Sequence, residues 1–375
     1  MTAPRAVEVR APGKLYIAGE YAVVETGFPA ILVAVDRYVT VRVTPGSGTG
    51  HITSDLSTQS RLEWHRGERG MIVEPDQAPF DFVLGAAGIV EEAAVAMGTP
   101  LEVFDIDITS ELDDDSGRKF GLGSSAAVTV ATVRALCEYY RLDLTRMAQL
   151  KLALLASISV QSSGSGGDVA ASMFGGWIAY TSFDRGWARE ERDVRPLVDL
   201  VTMDWPGLSV KRVCPPDRLR LLVGWTGSPA STSRLVGDVQ SHKQGGGADR
   251  GAAQLDYPRF LAESRRCVTA LVEALGNDDA DGIRAGIRRN RELLRELGEH
   301  TGTTIETPTL RRLIEIAEAC GGAAKTSGAG GGDCGIVLID SQSGTSDVDG
   351  LLAAWERSDI RLLNLHEHQP DGLTE

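Results

Sequence analysis

The chain has 375 residues, 42% of them hydrophobic and 24% charged, which is enough apolar material for two globular domains of ordinary size. Its formal net charge of -14 argues against a nucleic-acid or anionic-membrane footprint at whole-chain level and leaves room for local basic pockets only. Small molecules are therefore the expected partners, with no nucleic acid and no membrane.

Five cysteines, Cys137, Cys214, Cys267, Cys320 and Cys334, are odd in number and lack CxxC spacing. That usage points to reduced thiols in a cytoplasmic protein and away from a disulfide framework or a zinc site. The opening stretch MTAPRAVEVRAPGK carries no apolar signal-peptide core, and no run approaches the roughly 18 apolar residues of a membrane span.

In chain order, VEVRAPGKLYIAGEYAVV and AILVAVDRYVTVRVTP are rich in Val, Ile and Tyr and read as strands opening a first domain. FDFVLGAAGIVEEAAVAMG has helical spacing and ends at glycine, and LEVFDIDITSEL returns to alternation. SSAAVTVATVRALCEYYRL then reads as a helix directly after a glycine turn, and LTRMAQLKLALLASISVQ as a second one. SSGSGGDVAASMFGGWIAY leads through glycine and serine into another strand-like run. Beyond residue 205, DRLRLLVGWTG reads as a strand and QSHKQGGGADRG as a mobile loop. Three amphipathic helices are expected near 257–275, 280–298 and 308–319, their Arg and Glu pairs forming solvated faces. KTSGAGGGDCGIVLID is a glycine loop entering a strand, and RLLNLHEHQ is a last strand-like piece. Strands and helices without strict βαβ alternation favour two α+β domains, divided as 1–205 and 206–375, over a doubly wound sheet.

Three glycine loops carry the chemistry. In RKFGLGSSAA the glycines let backbone turn tightly against a ligand, and the helix behind them offers free N–H groups to an anion. The hydroxyls of Ser124 and Ser125 either cap that helix or reach a metal on a phosphate; both readings stand at this point. The loop is neither a Walker A sequence nor GxGxxG, because the third glycine is lacking. In SGSGGDVAAS, Asp168 either caps the next helix or faces a ligand. In SGAGGGDCG the glycine density suggests backbone wrapped around something. Lys14, in APGKLYIAGEY, is a cation in otherwise apolar strand-like sequence. Taken together, the loops, the early lysine and the loop aspartate describe a phosphoryl-transfer site outside the P-loop and protein-kinase types.

APGKLYIAGEYAVV, FGLGSSAAV and KTSGAGGGDCGIVL, in that order, resemble the three motifs of the GHMP kinases, and the resemblance covers nearly the whole chain. Within that superfamily the sequence is most similar to the phosphomevalonate kinases. It has RKF before GLGSSAA where mevalonate and homoserine kinases usually carry proline and glycine, and it has Asp333 where they usually have no aspartate.

The resemblance implies a two-domain α+β GHMP kinase fold, S5-like in its N-terminal half and ferredoxin-like in its C-terminal half. ATP, Mg2+ and a phosphorylated small-molecule acceptor, 5-phosphomevalonate, would meet in the cleft between them. By that likeness Gly121, Leu122, Gly123, Ser124, Ser125 and Ala126 cradle the ATP phosphates, Ser125 also binding the metal. Lys14, Lys119 and Asp168 are the catalytic residues; Lys14, Ser165, Asp168, Ser327, Gly328, Ala329 and Gly330 border the acceptor. Related mevalonate kinases draw a second metal ligand, a glutamate, from the helix before the aspartate loop, but residues 153–167 contain no acidic residue. Asp204 is a secondary candidate whose setting is that of a surface turn. A mevalonate kinase or another small-molecule GHMP kinase is the alternative reading, and a monomer or homodimer is expected.

Overall fold

The computed structural model describes residues 6–55, 61–68, 70–73, 80–114, 116–228, 231–243, 256–340 and 345–370. The first part of the chain forms strands β1 (Val7–Ala18), β2 (Pro29–Pro45), β3 (Thr49–Ser54), β4 (Arg61–Gly67) and β5 (Gly70–Val73). Helix α1 (Asp81–Ala96), β6 (Phe104–Ser110), α2 (Ser124–Tyr139), α3 (Arg146–Val160), α4 (Gly167–Phe174), β7 (Trp177–Thr181), α5 (Arg185–Val194), α6 (Leu197–Thr202) and β8 (Ser209–Val213) follow. The second part contains β9 (Leu219–Trp225), α7 (Thr232–Lys243), α8 (Tyr257–Gly276), α9 (Ala280–Thr301), α10 (Pro308–Ala319), β10 (Ala323–Thr326), β11 (Cys334–Asp340), α11 (Thr345–Glu356) and β12 (Arg361–Leu363).

Strands β1 to β8 make one mixed sheet, in which β3 and β6 are parallel and the other pairs antiparallel. β2 is its spine, pairing with β1, then with β7 along its first half and β6 along its second. The run AILVAV in β2 is wholly buried, because sheet neighbours flank it and α2 and α4 pack against it. Helix α2 is buried over most of its circumference, and its Ala and Thr residues let it lie close against β1. The second sheet is antiparallel, ordered β10, β11, β9, β12. Side chains cap its helices: Asp256, Asp279 and Thr307 each accept a backbone N–H from the first turn of α8, α9 and α10.

The expected helices at 257–275, 280–298 and 308–319 are therefore present, and the α+β class holds. We keep the division after residue 205 as a proposal; the sheets themselves change over between β8 and β9. The loop expected at QSHKQGGGADRG begins as the last turn of α7, and the rest of it lies outside the described residues. After β12 the chain returns to the first sheet, where the His368 N–H bonds to the Ala34 carbonyl at 2.9 Å and the Gly176 N–H to the His368 carbonyl at 3.0 Å. No helix among the described residues is long and apolar enough to cross a membrane.

Candidate active site

The three glycine loops converge on one cavity of about 380 Å³, within the range of small-molecule sites. The first loop ends at Gly123, whose φ of 82° makes it the N-cap of α2 with no side-chain cap bond. Neither Ser124 nor Ser125 caps the helix. Both residues line the cavity, and neither hydroxyl has a hydrogen-bond partner among the described residues, so the cap reading does not hold. A Cβ on Gly123 would stand 2.7 Å from Lys14 Cε, in a backbone conformation that L side chains rarely adopt. Leu122 does not line the cavity: its side chain is core, and its carbonyl accepts the Lys14 N–H at 2.8 Å.

Lys14 is buried at the cavity wall, where Nζ donates to the Gly121 carbonyl at 3.3 Å. Lys119 reaches the same cavity from an exposed position. These are the two lysines on the described wall, and no arginine joins them. The RKF triplet has divided its labour. Arg118 is held by Asp114 at 2.8 Å and lies over the Trp225 ring at 5.0 Å, so it is a brace outside the cavity. Phe120 packs edge-on against the same Trp225, with ring centroids 5.2 Å apart. Lys119 thus projects from a segment anchored on both sides. Asp113, bridged to Lys119 through the main chain, has one buried oxygen without a hydrogen-bond partner. Burial pushes its carboxyl up, and the Lys119 charge opposes that shift.

Asp168 is the second residue of α4, whose N-cap is Gly166, and it lines the cavity. Its Oδ1 accepts the Val169 N–H at 3.0 Å, which anchors the carboxylate at the helix start. No ion pair joins Asp168 to Lys14, although both face the cavity. Ser165 lines the same wall. From the third loop, Ser327, Gly328 and Ala329 reach the cavity. Ser327 Oγ accepts the Tyr16 N–H and donates to the Tyr16 carbonyl, both at 2.9 Å, so its hydroxyl clamps the loop onto β1.

Gly330 does not line the cavity. A Cβ there would stand 2.2 Å from the Ile305 carbonyl oxygen, so this glycine serves close packing behind the loop. Asp204 also lies off the cavity; its carboxylate acts on the buried Lys151, whose amine burial pulls down.

Sequence reasoning passed over several wall residues. Tyr16 and Tyr21 sat in strand-like apolar sequence, and Ser157 and Gln161 in a helix, yet all four line the cavity. Asp333 adopts φ of 50° and packs against Gly121, joining the third loop to the first. Glu20 and Lys325 form a fully buried ion pair linking the end of β1 to β10. An early GEY and a KTS before the glycine loop were the available signals, but nothing in the sequence pairs them.

Family models for the N-terminal domain of GHMP kinases and for the C-terminal region of GHMP kinases match residues 81–176 and 271–357. Over 97% of this chain and 98% of the relative, the sequence is 40% identical to a phosphomevalonate kinase of a Streptomyces species. This chain belongs to the GHMP kinase family. A mevalonate kinase of Pyrococcus abyssi is 28% identical, with 89% of each chain covered. Among solved structures, this GHMP kinase superposes on the Streptococcus pneumoniae phosphomevalonate kinase in complex with phosphomevalonate and AMPPNP. That match has a TM-score of 0.82 and 28% identity over 96% of this chain and 100% of the other. A Listeria innocua protein, Lin0012, matches with a TM-score of 0.89 and 36% identity, covering 97% and 98%.

Proposed function

We propose that this kinase transfers the γ-phosphoryl group of ATP to the phosphate of 5-phosphomevalonate, giving ADP and 5-diphosphomevalonate in the mevalonate pathway of isoprenoid synthesis. The observation that carries the reading is the pair Lys14 and Lys119 on one cavity wall, beside the uncapped α2 N-terminus, in a chain similar throughout its length to a phosphomevalonate kinase.

An oxygen of the acceptor phosphate attacks the γ-phosphorus, and the bond to the β-phosphate oxygen breaks, ADP leaving with the electron pair. A phosphomonoester with a second pKa of about 6 is already dianionic at neutral pH, so the nucleophile has no proton to lose. Catalysis then consists of aligning two anions and screening their repulsion. Lys14 holds the acceptor phosphate, Lys119 neutralises charge on the moving group, and the α2 N–H groups receive the nucleotide phosphates. Asp168, without a proton to abstract, orients a hydroxyl of the acceptor.

The described residues contain no cluster of three or more His, Cys, Asp or Glu able to hold a metal. The unpartnered Ser125 hydroxyl fits Mg2+ carried mainly by nucleotide phosphates, with Ser125 as its protein ligand. Bound there, the metal would supply charge neutralisation on the phosphates. Helix α3 offers Ser157 at this wall, followed by its C-cap residue Gln161, and no carboxylate. The five free thiols support a cytoplasmic location, and we retain a monomer or homodimer as the expected assembly.

Phosphorus NMR tests the reaction directly. With ATP and phosphomevalonate, the monoester resonance is expected to give way to two coupled diphosphate resonances. The acceptor kcat/KM is expected to fall about tenfold per pH unit below pH ~6, as the dianion is protonated. An unchanged monoester signal, or a profile flat between pH 5 and 7, contradicts the reading.

A further inference from the structure

Tyr16 lies in β1 with its ring 5.6 Å from Lys14 Nζ, and it lines the cavity. Its hydroxyl meets Ser165 Oγ at 3.0 Å, and Ser165 Oγ also accepts the Gly167 N–H at 3.2 Å. The Ser165 carbonyl is fixed from below by the Tyr180 hydroxyl at 2.7 Å and by that of Ser182 at 3.4 Å. Two hydroxyl protons therefore share a single contact between them. Whichever oxygen donates, one proton is left with no acceptor among the described residues, at the wall of the acceptor site.

A phenol is the stronger acid and the poorer acceptor, so Tyr16 donates to Ser165. Burial first, and the Asp168 carboxylate second, hold the phenol well above its ordinary pKa, so it remains a donor. Ser165 Oγ then has both lone pairs occupied, by Tyr16 O–H and Gly167 N–H. Its own proton then has no acceptor among the described residues, and Ser165 lines the cavity.

Resting on the functional reading above, we infer that Tyr16 is a positioning residue: it locks the Ser165 hydroxyl as a hydrogen-bond donor to an anionic oxygen of the acceptor. A tyrosine that merely filled space would leave this donor unaffected when its hydroxyl is removed. Tyr16→Phe keeps the ring and frees the serine rotor, whereas Ser165→Ala removes the donor itself.

The test is a double-mutant cycle read by calorimetric binding of phosphomevalonate and by steady-state kinetics, with thermal unfolding checking that each variant folds. Each single variant is expected to raise the acceptor Kd and KM about tenfold, the scale of one hydrogen bond to a charged group. ATP KM and kcat should stay within about threefold. The double variant should be no worse than Ser165→Ala, because Tyr16 acts through Ser165. Additive effects, equal losses for ATP, or unchanged acceptor binding in Tyr16→Phe would overturn the inference. Should Tyr16→Phe fail to fold, Ser165→Ala alone decides by its acceptor Kd, an unchanged value overturning it. Binding is measured without turnover, so wild-type protein that binds the acceptor but does not phosphorylate it contradicts the functional reading and leaves this cycle interpretable.

Discussion

Lys119→Met is expected to lower kcat by about 10²–10³-fold, the loss seen when one preorganised group is removed from developing charge. Nucleotide affinity should change far less, because Ser124, Ser125 and the α2 N–H groups still face the phosphates. The variant should fold normally. Lys119 is exposed, and its placement comes from neighbours: Arg118 held by Asp114, and Phe120 seated against Trp225. Single-turnover rates with saturating ATP and acceptor separate this effect from binding. A Lys119→Met enzyme within tenfold of wild type would show that the cation does not act on the moving phosphoryl group. Arg118→Met makes the useful contrast, since that guanidinium lies outside the cavity and acts only through the anchorage.

Lys325→Met is expected to destabilise the fold by about 3–5 kcal/mol, because it strands the Glu20 carboxylate in a buried setting. Both side chains are essentially inaccessible, and one Glu20 oxygen already lacks a hydrogen-bond partner among the described residues. Burial pulls the Lys325 amine below its ordinary pKa while the Glu20 charge pulls it back up. Substituting both partners by apolar residues, Glu20→Met with Lys325→Met, should recover most of the lost stability. Urea unfolding of the two variants decides the point. A single variant as stable as wild type, or a double variant no better than the single, would mean the pair does not hold β1 to β10.

The long elements were legible because their signals are local. Helices α8, α9 and α10 announce themselves by period, and β2 by an unbroken apolar run. The three glycine loops were legible for the same reason, since positive φ and close approach require glycine wherever the partner lies. Distant packing partners decided the rest. Nothing in RKF says that Arg118 will meet Asp114 and Trp225 while Lys119 reaches the cavity wall. Gly330 looks like its neighbours, and only the Ile305 carbonyl behind it shows that it serves packing. Tyr16 reads as one more strand residue until the Asp168 loop brings Ser165 onto its hydroxyl. The second sheet's partners, and the return of the chain end onto Ala34 and Gly176, leave no periodic trace in sequence.

A side-by-side measurement of ADP release with phosphomevalonate and with mevalonate tests the central claim most directly. Two lysines beside an acceptor that needs no base should make phosphomevalonate the better substrate, its kcat/KM exceeding that for mevalonate by at least about 10³-fold. Comparable turnover of the two, or a preference for mevalonate, would contradict the assignment of the acceptor site.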